Sequence, residues 1–188
     1  EALFLGVASD GLPVLLNLHD PVPGPLLVAA DPGERKTALL QTIALAAGTM
    51  HQPDELQFGV LTNHPDEWSS VTDVPNNVGI FALHDQSSQD FILALASWAH
   101  GNKTSRQSVL LLLDDLESAS NLDFDARQNL RWLLLRGPAR HGLIHVGTAR
   151  RNRSAPAVSN PSGGRNGSRA VRYRPGGVAG AGDAGPGD

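Results

Sequence analysis

Residues 30–37 read Ala-Asp-Pro-Gly-Glu-Arg-Lys-Thr, and the segments on either side of them decide how the chain folds. The apolar run Pro25–Ala29 (PLLVA) precedes them and is typical of a buried strand. The stretch Lys36–Ala47 follows and carries apolar residues on nearly all sides, as expected of a helix covered by other elements. Gly48 is placed to end this helix. The sequence therefore predicts a strand, a short loop and a helix in direct succession.

The loop of this unit resembles the phosphate-binding pattern G-x-x-x-x-G-K-[ST]. In that pattern the glycines let backbone amides wrap phosphates, the lysine reaches the outer phosphates and the hydroxyl ligates Mg²⁺. Lys36 and Thr37 are in place, Gly33 keeps the bend available, and Ala30 is a mild change at the first glycine position. Arg35 replaces the second glycine, and its side chain either fills or distorts the phosphate cradle or points outward and leaves the cradle usable. These five residues are the predicted contacts for ATP, and Thr37 is also a predicted Mg²⁺ ligand.

The rest of the body alternates strand-like and helix-like segments. A turn signal, Ser9-Asp10-Gly11, separates the first two strands and predicts a short N-terminal hairpin. Strands separated by helices imply right-handed crossovers and a mostly parallel sheet, and so a three-layer α/β fold. Most of the later strands are apolar runs typical of strands buried on both faces. Besides Pro25–Ala29, the predicted strands are Leu3–Gly6, Pro13–Asn17, Leu56–Leu61, Val78–Leu83, Val109–Leu113 and Leu143–Gly147, and the further predicted helices are Ser88–Ala99 and Asp123–Leu135.

Four leucines run directly into two acidic residues, Asp114 and Asp115. A buried strand that ends in two acids supplies both a carboxylate for Mg²⁺ and a carboxylate that activates water. We assign Asp114 to Mg²⁺, directly or through water, and Asp115 to the catalytic-base position, where a longer Glu is usual. The alternative interpretation makes Lys36 and Thr37 an ordinary exposed helix start and Asp114 an ordinary cap or turn residue. The order of these features along the chain favours a phosphate-loop fold.

Composition sets limits on the function and divides the chain in two. The chain has no cysteine, which excludes disulfides and thiolate metal sites, and no apolar run reaches the ~20 residues that would cross a bilayer. It begins with Glu1 and without a signal-peptide pattern. We therefore expect a cytoplasmic piece of a longer protein, associated with a membrane only through other parts of that protein.

A sharp change in composition follows Arg150. Residues 151–188 contain no Leu, Ile, Phe, Met or Trp, and such a segment cannot bury enough apolar area to fold. We predict a domain over 1–150 and a disordered Gly/Arg/Pro-rich low-complexity tail over 151–188. The tail carries six arginines against two acids, whereas the remainder carries nine basic against 17 acidic residues. A basic tail on an acidic body indicates a polyanionic partner for the tail.

An ordered set of segments resembles the FtsK/SpoIIIE-type P-loop ATPase domain of the HerA–FtsK superfamily, including the similar modules of type VII secretion. The resemblance covers residues 1–150, and no single motif carries it alone. The segments are LFLGVASDGLPVLLNLHD (3–20), PLLVAADPGERKTALLQTIALAA (25–47), QPDELQF (52–58), VPNNVGIF (74–81), LLLLDDLE (110–117) and RGPARHGLIHVGTAR (136–150).

The resemblance implies a RecA-like domain that binds ATP and Mg²⁺, with Thr148 at the polar position that senses the γ-phosphate. It also implies a ring-forming or tandem motor that moves DNA or secreted polypeptide. Arg35 and Asp115 depart from an active motor, so weak or absent hydrolysis is expected. The alternative is a nucleotide-free pseudo-ATPase that serves as a structural module of a larger translocation or secretion assembly. A DNA-binding accessory domain that uses the arginine tail is a third interpretation. The closing segment of the family, with its further strands, is not recognisable in 151–188.

Overall fold

The computed structural model describes residues 2–17, 25–31, 35–101, 107–137 and 143–150. Gly33 of the phosphate loop and the predicted tail 151–188 lie outside the described residues. The described part contains strands β1 (Ala2–Val7), β2 (Pro13–Asn17), β3 (Leu26–Ala30), β4 (Leu56–Thr62), β5 (Asn77–Ala82), β6 (Ser108–Leu113) and β7 (Leu143–Arg150). Its α-helices are α1 (Lys36–Met50), α2 (Gln86–Gly101) and α3 (Phe124–Arg136), and 3₁₀ helices span Pro65–Val71 and Leu116–Asn121.

The sheet has five strands in the order β3-β7-β6-β4-β5, and all of its pairs are parallel. This confirms the predicted mostly parallel sheet. Strand β7 lies between β3, which leads into the phosphate loop, and β6, which leads into the acidic pair Asp114 and Asp115. The carboxyl ends of these three strands therefore meet at one edge of the sheet.

The predicted hairpin is confirmed as a separate antiparallel pair, β1 and β2. Gly11 adopts a φ of 84° at its turn, and the Leu12 amide donates to Asp10 Oδ1 at 3.1 Å. The hairpin packs on α1 through Leu3, which is completely buried.

Alternate residues of β6 pack on opposite faces of the sheet, which is the signature of three layers. Leu110 and Leu112 join a core cluster with α1, the hairpin and Trp68. Leu111 and Leu113 join a second cluster with α2 and α3. The predicted three-layer α/β architecture is thus confirmed, with α1 on one face and α2 and α3 on the other.

The structure corrects the prediction that Gly48 ends the first helix. Helix α1 continues through Gly48 to Met50. A Cβ atom at Gly48 would lie 2.3 Å from Val74 Cγ1, so the glycine permits close packing inside the helix rather than stopping it. The helix is also not covered on all sides, because Leu45 is 43% exposed.

Strand β5 is a second departure from the sequence prediction. It lies at the edge of the sheet and Val78 is 41% exposed, so β5 is not buried on both faces. The chain passes from β4 to β5 through the 3₁₀ helix Pro65–Val71, which the sequence analysis did not predict. Its Trp68 is completely buried and fixes this short helix against the α1 face. None of the helices in the described part of the chain has the length and apolar character that crossing a membrane requires.

Candidate nucleotide-binding site

The predicted site residues gather where the carboxyl ends of β6 and β7 approach the start of α1. Thr37 lies in the first turn of α1, Asp114 and Asp115 directly follow β6, and Thr148 lies in β7. Thr148 is paired in register with Val28 of β3, so its strand connects the other two. This edge of an open parallel sheet is where α/β proteins bind ligands.

A chain of hydrogen bonds joins three of these residues. The Thr37 hydroxyl donates to Asp114 Oδ2 at 2.9 Å, and the Thr148 hydroxyl donates to Asp114 Oδ1 at 3.1 Å. Asp114 is only 7% exposed and Thr148 is completely buried. Both oxygens of the buried carboxylate thus accept a bond from a hydroxyl, each from a different element. Asp114 therefore connects α1, β6 and β7 through hydrogen bonds, unlike the ordinary turn or cap residue of the alternative interpretation.

Asp115 has an unusual backbone and two hydroxyl partners. It adopts φ 71° and ψ 79°, and among the described residues it alone combines a side chain with a positive φ. Its amide donates to the Thr148 hydroxyl oxygen at 2.9 Å. Its Oδ2 accepts from the Ser118 hydroxyl at 2.7 Å. The sequence analysis missed Ser118, although a serine three residues after an aspartate at a helix start is a pattern that favours such local bonds.

The phosphate-loop residues are placed only in part. Ala30 ends β3, where its backbone pairs with Arg150. Lys36 is the first residue of α1 and is half-buried. Arg35 is the N-cap residue, where its carbonyl accepts from the Leu39 amide at 3.1 Å, and it is exposed to solvent. Because the loop residues 32–34 lie outside the described residues, the two options for Arg35 stay predictions.

The chemistry of this site suits a phosphate with a hard cation. The first turn of α1 contains no acidic residue, and the positive dipole end of a helix favours an anion. The oxygens of Thr37 and Asp114 are donors that Mg²⁺ prefers. No group of three or more His, Asp or Glu side chains in the described residues is arranged to hold a metal. A Mg²⁺ ion held by one or two carboxylates usually takes its further ligands from waters and substrate phosphates.

Comparisons with known proteins point to the same kind of domain. No protein-family model matches the chain, and no curated protein matches it. Among solved structures it is similar to EccC of Thermomonospora curvata (ATPases 2 and 3, in complex with a signal sequence peptide), with a TM-score of 0.63 and 16% identity over 79% of this chain. It is similar to EssC of Geobacillus thermodenitrificans (ATPases 2 and 3), with a TM-score of 0.65 and 13% identity over 83% of this chain. The chain has the fold of these secretion ATPase domains.

The likeness confirms the predicted P-loop ATPase fold at the level of the fold alone, because identity is low. The cytoplasmic domain of the type VII secretion ATPase EccC of T. curvata gives a TM-score of 0.64 at 18% identity. This chain spans only 28% of the first EccC structure, 34% of the EssC structure and 18% of the EccC cytoplasmic domain. The matched part is therefore less than half of each structure that contains ATPases 2 and 3.

Proposed function

We propose that residues 1–150 bind ATP with Mg²⁺ as one ATPase domain of a larger translocation motor, and hydrolyse it slowly. The observation that carries this proposal is the hydrogen-bonded chain Thr37–Asp114–Thr148. It links the phosphate-loop hydroxyl to the acidic end of β6 across elements that are distant in sequence. Thr37 and Asp114 would hold Mg²⁺, which would neutralise phosphate charge, and Lys36 would contact the phosphates.

The position of Arg35 supports nucleotide binding over a pseudo-ATPase. The pseudo-ATPase alternative would be supported by an Arg35 guanidinium inside the cradle, where it could replace the charge partners of the phosphates. Arg35 is exposed to solvent. An exposed Arg35 at the start of α1 would add a positive charge near an anion site.

The acidic pair supports slow hydrolysis. The aspartate at the catalytic-base position is one methylene shorter than the usual glutamate. A general base must reach the proton that it removes, either directly or through one water. Asp115 meets this requirement less well than a glutamate would, so we expect binding to be retained and turnover to be low.

The solved structures guide the proposal for assembly and cargo. They are secretion ATPases with several ATPase units, and one of them was solved with a signal sequence peptide. We accordingly propose that this domain acts beside further copies or tandem domains, on the cytoplasmic side, on a polypeptide. The DNA alternative depends on the resemblance to FtsK/SpoIIIE-type motors and, for an accessory domain, on the arginine tail.

Titration of the full 188-residue chain with a fluorescent ATP analogue tests the proposal. The variants are Lys36→Ala, Arg35→Gly and, as a control, Lys103→Ala, which changes the only other lysine of the sequence. We expect saturable binding that Mg²⁺ strengthens. Lys36→Ala should weaken it at least about tenfold, because a charge-assisted bond contributes about 1.5–3 kcal/mol. Lys103→Ala should bind as the parent does.

The alternatives give different results in the same titration. No binding by the parent, with recovery in Arg35→Gly, would identify a pseudo-ATPase blocked at Arg35 and overturn the proposal. No binding in any variant would leave the fold and remove the site. Loss of DNA binding on deletion of 151–188, with a steep salt dependence in the intact chain, would support the DNA-binding interpretation instead.

A further inference from the structure

We propose that Ser118 and Thr148 act together as positioning residues that fix Asp115, the former through the carboxylate and the latter through the backbone. We call these two hydroxyls the hydroxyl clamp. The inference rests on the proposed function, because it assigns the clamp to the water-activating end of the same site. It also assigns to Thr148 a different task from sensing the γ-phosphate.

The backbone of Asp115 needs an external constraint. A left-handed conformation in a residue with a side chain costs about 1–2 kcal/mol. Aspartate tolerates it better than most residues, yet it persists only where the surroundings impose it. At Asp115 the constraint is the bond from its amide to Thr148, a completely buried residue of the neighbouring strand β7.

Thr148 uses the proton of its hydroxyl within the protein. A threonine hydroxyl has one proton to donate. That proton goes to Asp114 Oδ1, and the oxygen accepts the Asp115 amide. Donation to a phosphate would require the bond to the buried Asp114 to break. Thr148 therefore acts on the reaction through the acidic pair, to which it is bonded at both members.

Ser118 completes the clamp from the opposite direction. Its hydroxyl donates to Asp115 Oδ2 at 2.7 Å, and its amide donates to the Asp115 carbonyl at 3.0 Å. Both bonds belong to the first turn of the 3₁₀ helix Leu116–Asn121. The Asp115 side chain is thereby tied to the helix that follows it, while its amide is tied to β7. In this proposal, β7 and the 3₁₀ helix together fix the position of the Asp115 carboxylate beside a bound nucleotide.

The test compares variants that remove each hydroxyl with variants that keep it. Thr148→Val and Ser118→Ala remove the hydroxyls, and Thr148→Ser and Ser118→Thr retain them. Ser120→Ala is the matched control, because Ser120 lies in the same 3₁₀ helix but donates to the Glu117 carbonyl. The readouts are kcat and KM for Mg·ATP, and hydrogen exchange at the Asp115 amide.

We expect Thr148→Val and Ser118→Ala each to lower kcat about tenfold, since a bond to a charged or constrained group contributes on the order of 1.5 kcal/mol. KM should stay within about twofold, because neither residue contacts the substrate in this assignment. The hydroxyl-retaining variants should recover kcat. Exchange at the Asp115 amide should speed up in Thr148→Val and stay slow in Thr148→Ser. If Thr148→Val does not fold, Ser118→Ala and Ser118→Thr decide the matter.

Unchanged exchange at Asp115 in a folded Thr148→Val would overturn the clamp. The clamp would also be overturned if Thr148→Val and Ser118→Ala raised KM instead of lowering kcat. An equal fall in kcat in the control Ser120→Ala would overturn it as well. If the parent binds nucleotide without measurable turnover, a second readout replaces kcat: how much more tightly the parent binds Mg·ADP with aluminium fluoride than Mg·ADP alone. Equal affinity for the two would also overturn the proposal. Failure of the parent to bind any nucleotide would refute the proposed function, whereas the exchange measurement would still decide whether Thr148 holds Asp115.

Discussion

Replacement of Thr37 by valine tests the bond at the centre of the site. The change is nearly isosteric and removes only the hydroxyl that donates to Asp114 Oδ2 at 2.9 Å. Asp114 is 7% exposed, so water replaces the lost donor poorly. A hydrogen bond to a charged group contributes about 1.5–3 kcal/mol. In a domain of this size, Tm falls by about 2–4 °C for each kcal/mol of lost unfolding free energy. The Tm of Thr37→Val should therefore be lower by about 3–12 °C.

Two assays separate the structural and functional roles of Thr37. Thermal unfolding without nucleotide measures the loss of stability, and titration with an ATP analogue with and without Mg²⁺ measures the metal-dependent part of binding. Thr42→Val is the matched control, because Thr42 lies in the same helix, is exposed and donates to the Ala38 carbonyl at 2.9 Å. Threonine and valine have similar helix propensities, so the control also corrects for propensity. Thr37→Ser should retain both stability and the effect of Mg²⁺.

Either of two results would refute this reasoning. If Thr37→Val unfolds at the same temperature as Thr42→Val, the bond to Asp114 does not stabilise the fold. If Mg²⁺ strengthens nucleotide binding equally in Thr37→Val and the parent, Thr37 is not a metal ligand. The second result would also remove the role that the proposed function assigns to Thr37.

Two further changes test the packing that supports the site, each by urea unfolding. Asp123→Ala should lower the free energy of unfolding by about 1 kcal/mol, because Asp123 Oδ1 accepts from the Ala126 amide at 2.7 Å and so caps the first turn of α3. Gln128 is exposed in the same helix, and Gln128→Ala should have little effect. Equal losses of stability in the two variants would contradict the capping role. Gly59→Ala should cost about 1–3 kcal/mol, because the new Cβ would lie 2.4 Å from Phe91 Cζ in a packed core. Addition of Phe91→Leu should recover part of that loss, and a fully stable Gly59→Ala would show that β4 has room there.

The fold could be predicted from the sequence because its signals are local. Apolar runs of strand length, helix-like stretches and the Ser9-Asp10-Gly11 turn each depend on neighbouring residues, and the structure places elements at all of them. The end of α1 could not be predicted in this way. A glycine such as Gly48 is typical of a helix end. Here it lies inside α1, where it leaves room for Val74, which packs against it from another part of the chain.

The site was predictable in outline and not in detail. The carboxyl ends of parallel strands meet, so a phosphate loop after β3 and an acidic pair after β6 had to be neighbours. Which oxygen each hydroxyl reaches depends on register between β7, β6 and α1, and the sequence does not encode that register in any short pattern. The left-handed conformation of Asp115 and its bond to Ser118 are likewise consequences of the packed structure.

Arg35 and Asp115 are the two residues that depart from the pattern of an active motor. They lie at separate places relative to the hydrogen-bonded chain Thr37–Asp114–Thr148. Arg35 is exposed at the start of α1, and Asp115 is turned toward the 3₁₀ helix that follows it. Between them, the chain Thr37–Asp114–Thr148 is complete, and its carboxylate accepts a bond at both oxygens. Because an unsatisfied buried carboxylate would be costly, this network stabilises the fold whether or not turnover occurs. A change at Asp115 therefore does not require loss of the Thr37–Asp114 end, so the proposed nucleotide binding does not depend on rapid turnover.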